Sequence, residues 1–217
     1  MNHKISGYTW VGILISMFSI TVINLSMKAL YGPILNNLQM ITKELIILGV
    51  TAFLLFYIIP KEKLNLDSIG LHARNIKKNW LWIFGLLLIC IAGLAICLLV
   101  CKWLGWPFGE SKSFDKLSPW VITLVTLRAG ISEEVFMRGF LLERFTTITG
   151  KKWIAFLLST LPFGFLHYPQ GYAGILIATV AGGILALFYF WKRDLIINII
   201  AHFLVDFIPN VVLPMFG

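Results

Sequence analysis

Long apolar runs alternate along the chain with short segments that carry most of the charged residues. A window of about 19 residues, suited to the thickness of a bilayer, places these runs near 9–30, 39–59, 80–101, 118–138, 152–168, 173–191 and 195–216. We expect the first run to be a retained span, because no small-residue cleavage site follows it. The pattern predicts an all-α, polytopic transmembrane helical bundle of about seven spans, forming a single domain over residues 1–217.

The composition supports a membrane location. The chain is 59% hydrophobic and only 13% charged, whereas about one quarter of the residues in a typical soluble domain are charged. We therefore expect an integral membrane protein that contacts the lipid bilayer. The net charge of +8 does not indicate a nucleic-acid partner, because the basic residues fall in short clusters between the apolar runs. Cys90, Cys97 and Cys101 share one apolar run and are expected to be small core residues.

The distribution of lysine and arginine predicts an orientation, since cytoplasmic segments of membrane proteins are enriched in both. With the N-terminus inside, the inner side carries Lys4, Lys61, Lys63, Arg74, Lys77, Lys78, Arg138, Arg144, Lys151, Lys152, Lys192 and Arg193, and the outer side carries Lys28, Lys43, Lys102, Lys112 and Lys116. This bias predicts that the N-terminus lies inside and the C-terminus outside. We expect the membrane to be a bacterial plasma membrane.

Several ionisable residues lie within the later apolar runs: Glu133, Glu134, Arg138, His167, His202 and Asp206. A charge at the centre of a membrane helix costs about 3 kcal/mol on insertion scales, so such residues usually mark a functional site. Glu133 and His167 are equally far along the chain from a turn expected at Gly150. A hairpin there would bring them to one level, provided that its 138–152 part protrudes from the membrane. The pattern predicts an intramembrane polar cavity nearer the inner face.

Helical spacing predicts how the charged side chains of the fourth apolar run, 118–138, are arranged. Glu134 and Arg138 are four residues apart and are expected to form an ion pair on one helix face. Glu133 is rotated by about 100° from Glu134, which leaves its carboxylate free to act as a base. His167, on the facing helix, would hold the other side of a water molecule activated for attack on a carbonyl. Arg128 lies deep in the same run, and the sequence identifies no partner for it.

The last run offers a second set of polar groups. Asn198, His202 and Asp206 recur every four residues and therefore form one stripe on a helix. A histidine in this position can stabilise the oxyanion of a tetrahedral intermediate, and such a donor is typically worth about two to three orders of magnitude in rate. Base, water and oxyanion donor are the parts of an amide-hydrolysing site. Each group taken alone also fits a structural ion pair or a polar contact between helices.

Three motifs, found in this order on three predicted membrane helices, resemble a known family. They are EExxxR (Glu133, Glu134, Arg138), FxxxH (Phe163, His167) and HxxxN/D (His202, Asp206). The combination resembles the CPBP intramembrane proteases, which comprise the type II CAAX prenyl endopeptidases and bacterial abortive-infection and bacteriocin-processing relatives. The resemblance covers about residues 118–210 and implies an all-helical intramembrane endopeptidase that acts on a peptide or a membrane protein.

The resemblance also implies roles for the motif residues. Glu133 and His167 would activate the water, His202 and Asp206 would line the oxyanion site, and Glu134 with Arg138 would support them. Where the CAAX-processing members carry Asn in the last motif, this chain has Asp206. An ionised aspartate accepts hydrogen bonds but cannot donate one. Asp206 would therefore act by orienting His202, as a carboxylate orients a catalytic histidine, or would itself be protonated.

Other functions remain open at this stage. Glu133, His167 and His202 form a chemically reasonable zinc triad, although the preferred mechanism needs no cofactor. A non-catalytic immunity or scaffold protein would keep the same fold and use its cavity or surface for binding. A proton-coupled transporter is less well supported, because no repeat relates the two halves of the chain. The sequence does not indicate an oligomeric state.

Overall fold

The computed structural model describes residues 5–72, 79–107, 114 and 116–216, and these form seven helices with short 3₁₀ turns and no β-strand. The helices are α1 (Gly7–Tyr31), α2 (Asn37–Lys61), α3 (Trp80–Leu104), α4 (119–149), α5 (Lys152–Phe165), α6 (Gly171–Lys192) and α7 (Leu195–Met215). Helix α4 begins as Pro119–Glu134, continues as a π-helical segment, Val135–Leu142, and ends as Glu143–Thr149. The predicted all-α bundle is confirmed.

Consecutive helices run in opposite directions, and polar contacts identify the two ends of the bundle. At one end, here called the Arg144 end, Arg144 Nη2 donates to Glu62 Oε2 over 2.8 Å and joins the end of α2 to α4. At the other, the Asn37 end, the Ser118 backbone N–H donates to Asn37 Oδ1 over 3.0 Å and joins the starts of the same helices. Helices α2 and α4 are therefore parallel, as two inward passes of a seven-span protein would be.

Each predicted apolar run corresponds to one helix, but the helices are not equally suited to cross a bilayer alone. Five helices are long and apolar enough to cross a membrane: α1, α2, α3, α7, and α6 together with the turn that precedes it. Helix α5 is apolar but has 14 residues, and α4 carries the charged residues of the motifs. The structure thus describes an integral membrane protein in which α4 is the charged central helix.

The orientation in the membrane stays a prediction, and one part of its basis is wrong. Lys4, Arg74, Lys77, Lys78 and Lys112 lie outside the described residues. Arg138, which the orientation count assigns to the inner side, is only 1% exposed and lies inside the bundle. All of Val135–Leu142 is likewise buried within the bundle, and protrusion of the 138–152 part from the membrane stays a prediction. The apolar side chains of Val135–Leu142 belong to one buried core with Ile13 of α1 and with Leu54 and Ile58 of α2.

The cysteines have the predicted character. Cys90, Cys97 and Cys101 are free and buried on α3. Cys90 belongs to a small core with Leu185 of α6 and Ala201 of α7. They pack as small apolar residues, as the sequence predicted.

Candidate active site

A single carboxylate connects three of the predicted site residues. Glu134 is fully buried, and its Oε1 accepts hydrogen bonds from Arg138 Nη1 at 2.6 Å and from His202 Nδ1 at 2.8 Å. Its Oε2 accepts one from Asn198 Nδ2 at 3.1 Å. The ion pair predicted from the four-residue spacing is confirmed. The same carboxylate also ties α4 to α7 and fixes which nitrogen of His202 faces it.

A glycine allows α4 and α7 to come this close. A Cβ atom on Gly130 would lie 2.9 Å from the backbone oxygen of Ile199 and 3.0 Å from the backbone nitrogen of Phe203. Both distances are shorter than van der Waals contact, and neither backbone atom can move aside as a side chain can. The helices meet at Gly130, one turn before Glu134, and His202 therefore reaches the carboxylate.

Arg138 extends the network to α5 and α6. Its Nη2 donates to the backbone oxygen of Gly182 over 3.0 Å, and its guanidinium lies 4.5 Å from the centre of the Phe163 ring. A Cβ on Gly182 would lie 2.7 Å from that ring, so only glycine leaves room here. Arg138 also stands in the π-helical segment that follows Glu134. Such segments change the direction of side chains and are frequent at functional sites.

The second nitrogen of His202 points toward two other carboxylates. His202 Nε2 lies 3.5 Å from Asp206 Oδ2 and 4.0 Å from Glu133 Oε2. The side chain of Asp206 is 36% exposed and that of Glu133 is 15% exposed, whereas that of Glu134 is completely buried. The cluster therefore has a closed side at Glu134 and a more open side at Asp206. Of the predicted stripe, Asn198 and His202 bind Glu134 of α4, and Asp206 lies beside His202.

Glu133 is not free, contrary to the expectation from helical rotation. Its Oε1 accepts a hydrogen bond from Arg128 Nη1 at 3.0 Å. Arg128 is itself 6% exposed, and its Nε donates to Glu44 Oε2 on α2. Arg128 thus has two partners where the sequence identified none. Glu44, a lone carboxylate within the second apolar run, is the residue that the motif analysis missed, and its position in that run was the available signal.

His167 lies just beyond the end of α5, on the other side of Phe163. Its Nδ1 donates to the backbone oxygen of Phe163 over 2.9 Å, which leaves Nε2 as the nitrogen available to a substrate or water. The Phe163 ring lies 4.9 Å from the His167 ring and 6.4 Å from the His202 ring, centre to centre. The Phe163 ring, which also contacts Arg138, thus links His167 to the group that His202 forms with Glu133, Glu134 and Asp206.

The zinc alternative and the cavities at the surface of the bundle bear on this region. In the part of the chain that the structure describes, no three His, Cys, Asp or Glu side chains are grouped as ligands for a metal ion. Two cavities, of about 230 and 200 Å³, lie at the Arg144 end, and no motif residue lines either of them. The larger one adjoins the Glu62–Arg144 pair.

Fold and site together define a class: an α-helical membrane protein whose central helix carries buried charges bound by histidine and asparagine from a neighbouring helix. Residues 115–208 match the family model described as Rce1-like, type II CAAX prenyl endopeptidase Rce1-like. The matched segment contains all three motifs, and it confirms the resemblance to the CPBP family. It supports an intramembrane protease of the CAAX type in general. No curated protein and no solved structure matches the chain.

Proposed function

We propose that the protein is an intramembrane endopeptidase that hydrolyses a peptide bond with a water molecule activated by Glu133 and His167. The observation that carries this proposal is the position of Glu133 Oε2. It faces His202 Nε2 across 4.0 Å, while Glu134 binds the opposite nitrogen of the same ring. This separation is too long for a direct hydrogen bond but suits a bridging molecule. A base and a potential oxyanion donor thus face one shared space.

The proposed reaction begins with transfer of a proton from the water to Glu133 Oε2. His167 Nε2 binds the same water from the α5 side and orients it. The hydroxide forms a bond to the carbonyl carbon of the substrate, and the C=O π electrons move onto the oxygen. When this intermediate collapses, the C–N bond breaks and Glu133 returns its proton to the leaving nitrogen. The products are a carboxylic acid, which keeps the second proton of the water, and an amine, and Glu133 is restored.

His202 is the proposed donor to the oxyanion. With Nδ1 bound to Glu134, a protonated ring presents Nε2–H toward the reacting carbonyl. Asp206, 3.5 Å from Nε2, cannot donate when ionised and instead orients the ring and favours its cationic form. Glu134 and Arg138 then act as supports, because they fix the His202 ring and the helix segment that carries Glu133.

The substrate proposed is a peptide or membrane protein in a bacterial plasma membrane, with the N-terminus of the enzyme on the inner side. The family description names prenyl endopeptidases, and a bacterial membrane is not expected to contain prenylated CAAX proteins. The more exposed Asp206 side of the cluster faces the Asn37 end, and we propose that the scissile bond enters there.

We propose a mechanism without a metal ion. Arg128 donates to Glu133 Oε1, and a guanidinium at this carboxylate opposes the binding of a second cation beside it. The zinc-dependent alternative would use Glu133, His167 and His202 as ligands. Its chemistry would be to polarise the bound water and carbonyl.

The test is cleavage of a membrane-peptide library by purified wild-type protein, Glu133→Gln and His167→Ala. We expect both variants to lose cleavage by about two orders of magnitude or more. Glu143→Gln serves as control, because Glu143 lies on the same helix but binds Arg193 at the Arg144 end. Undiminished cleavage by either motif variant would refute the proposed mechanism. Absence of cleavage by the wild type, with a cellular phenotype fully complemented by Glu133→Gln, would favour the non-catalytic alternative.

A further inference from the structure

Three charged residues form a continuous chain from α2 to the proposed base. Glu44 is fully buried on α2, and its Oε2 accepts a hydrogen bond from Arg128 Nε. Arg128 Nη1 then donates to Glu133 Oε1 over 3.0 Å. One planar guanidinium therefore binds both carboxylates, each through a different nitrogen. Because Oε1 of Glu133 is occupied in this way, Oε2 is the oxygen left toward His202.

This arrangement does not follow from the helix alone. Arg128 and Glu133 are five residues apart, which places them about 140° apart around the helix axis. That spacing does not favour a contact as three- and four-residue spacings do. The guanidinium must therefore be directed toward Glu133, and the bond to Glu44 on the neighbouring helix provides that direction. Arginine suits the task because its donors have a fixed planar geometry.

A second contact sets the position of α2 beside this segment. Thr51 Oγ1 of α2 donates to Ser132 Oγ over 2.8 Å, and both residues are buried. Ser132 immediately precedes Glu133. The two contacts together fix α2 against the part of α4 that immediately precedes Glu133. Helix α2 lies outside residues 115–208, the segment that matches the family model.

From this geometry we infer that Glu44 is a positioning residue for Glu133, acting through Arg128. It selects the guanidinium orientation that binds Oε1 of Glu133 and thereby aims Oε2 at the space shared with His202. The inference rests on the proposed function of Glu133 as the base. It extends the working site to a helix that carries none of the three motifs.

Charge balance alone does not account for Glu44. Lys43 Nζ lies 3.0 Å from Glu44 Oε1, so Glu44 already has a counter-charge on its own helix. What the Glu44–Arg128 bond adds is a fixed direction for the guanidinium. Lys43 can therefore distinguish the two roles. It contributes to the charge balance of Glu44, but no contact joins it to Glu133.

The kinetic test compares Glu44→Gln with Lys43→Gln on a peptide that the wild type cleaves. We expect Glu44→Gln to lower kcat by about tenfold to a hundredfold, since misplacement of a catalytic group has effects of this size. KM should stay within about twofold, because Glu44 does not touch the substrate site. Lys43→Gln should leave both constants near wild type. An unchanged kcat in Glu44→Gln would overturn the inference.

A buried ion pair elsewhere provides the structural control. Arg144 binds Glu62 through Nε and Nη2 at the Arg144 end and is as buried as Arg128. Glu62→Gln should lower the unfolding temperature but leave kcat per folded molecule unchanged. If Glu62→Gln lowers kcat as much as Glu44→Gln does, the effect is general destabilisation and the positioning role is wrong.

A third test measures thermal stability instead of activity, and it can therefore separate the role of Glu44 from the role of Glu133 as the base. Thermal unfolding of Glu44→Gln, Glu133→Gln and the double variant reports whether Arg128 couples the two carboxylates, because groups in one network give non-additive effects. We expect the double variant to differ from the sum of the single shifts. Additive shifts would overturn the inference even if Glu133→Gln is inactive. An active Glu133→Gln with non-additive shifts would refute the proposed function, and with it the catalytic consequence of Glu44, but not the coupling of the two carboxylates through Arg128.

Discussion

Glu134 and His202, on different helices, share a hydrogen bond of 2.8 Å between Oε1 and Nδ1. The bond is buried, and it determines which face of the His202 ring remains for chemistry. The first glutamate of the motif, Glu133, therefore lies on the Nε2 side of the ring, while the second, Glu134, binds Nδ1. Glu133 and Glu134, although adjacent in the sequence, thus differ in burial: the side chain of Glu133 is partly exposed and that of Glu134 is completely buried.

The first prediction concerns Glu134→Gln. This change removes the counter-charge of Arg138, which is 1% exposed, and breaking a buried ion pair on one side typically costs about 3–5 kcal/mol. We expect a clear fall in the unfolding temperature of the detergent-solubilised protein. The three buried cysteines allow unfolding to be followed with a thiol-reactive dye.

Asp67→Asn is the matched control for that change. Asp67 pairs with His72, but its side chain is 63% exposed, and exposed pairs contribute at most about 1 kcal/mol. Equal shifts in the two variants would show that the Glu134 network does not support the fold.

The second prediction concerns the close approach of α4 and α7 at Gly130. A methyl group there would press on backbone atoms of Ile199 and Phe203 at 2.9 and 3.0 Å. We expect Gly130→Ala to separate the helices, move His202 away from Glu133 and lower both stability and cleavage. Gly49→Ala on α2 is the control, because a Cβ at Gly49 meets nothing within 4 Å. The idea fails if the two alanine variants have the same unfolding temperature and kcat.

Contacts between residues three or four apart on one helix could be predicted from the sequence, and contacts between helices could not. The spacing of Glu134 and Arg138 gave their ion pair directly, because residues four apart share a face of a helix. The bond between Arg128 and Glu44 joins residues 84 positions apart. Neither belongs to a motif, and helical geometry says nothing about which neighbouring helix α4 will face. The expectation that Glu133 is free was wrong because Arg128, which Glu44 of α2 binds, donates a hydrogen bond to it.

The π-helical segment is a second feature that the sequence did not reveal. Val135–Leu142 is apolar except for Arg138, and such a composition is equally compatible with an ordinary α-helix. The change in hydrogen-bond register depends on packing against the neighbouring helices. The segment is buried throughout, so Arg138 lies in the protein core and not in a loop.

The third prediction concerns Asp206, where this chain departs from the asparagine of the CAAX-processing members. Asparagine can donate a hydrogen bond to an oxyanion, which an ionised aspartate cannot do. We expect Asp206→Asn to keep kcat within a few-fold of wild type. Asp206→Ala, which neither donates nor orients His202 at 3.5 Å, should lose about two orders of magnitude. Equal activity of Asp206→Ala and wild type would remove this residue from the proposed site.

The fourth prediction concerns metal dependence. The guanidinium of Arg128 binds Glu133 Oε1, and its positive charge makes the carboxylate a poor ligand for a divalent cation. We therefore expect cleavage by the purified protein to be unchanged after treatment with a zinc chelator. Zinc measured by elemental analysis should be well below one atom per chain. His167→Ala should then lose activity without any change in metal content, because in the proposed mechanism His167 binds water directly. Loss of activity with the chelator, restored by added zinc and accompanied by one bound atom per chain, would instead establish Glu133, His167 and His202 as a zinc site.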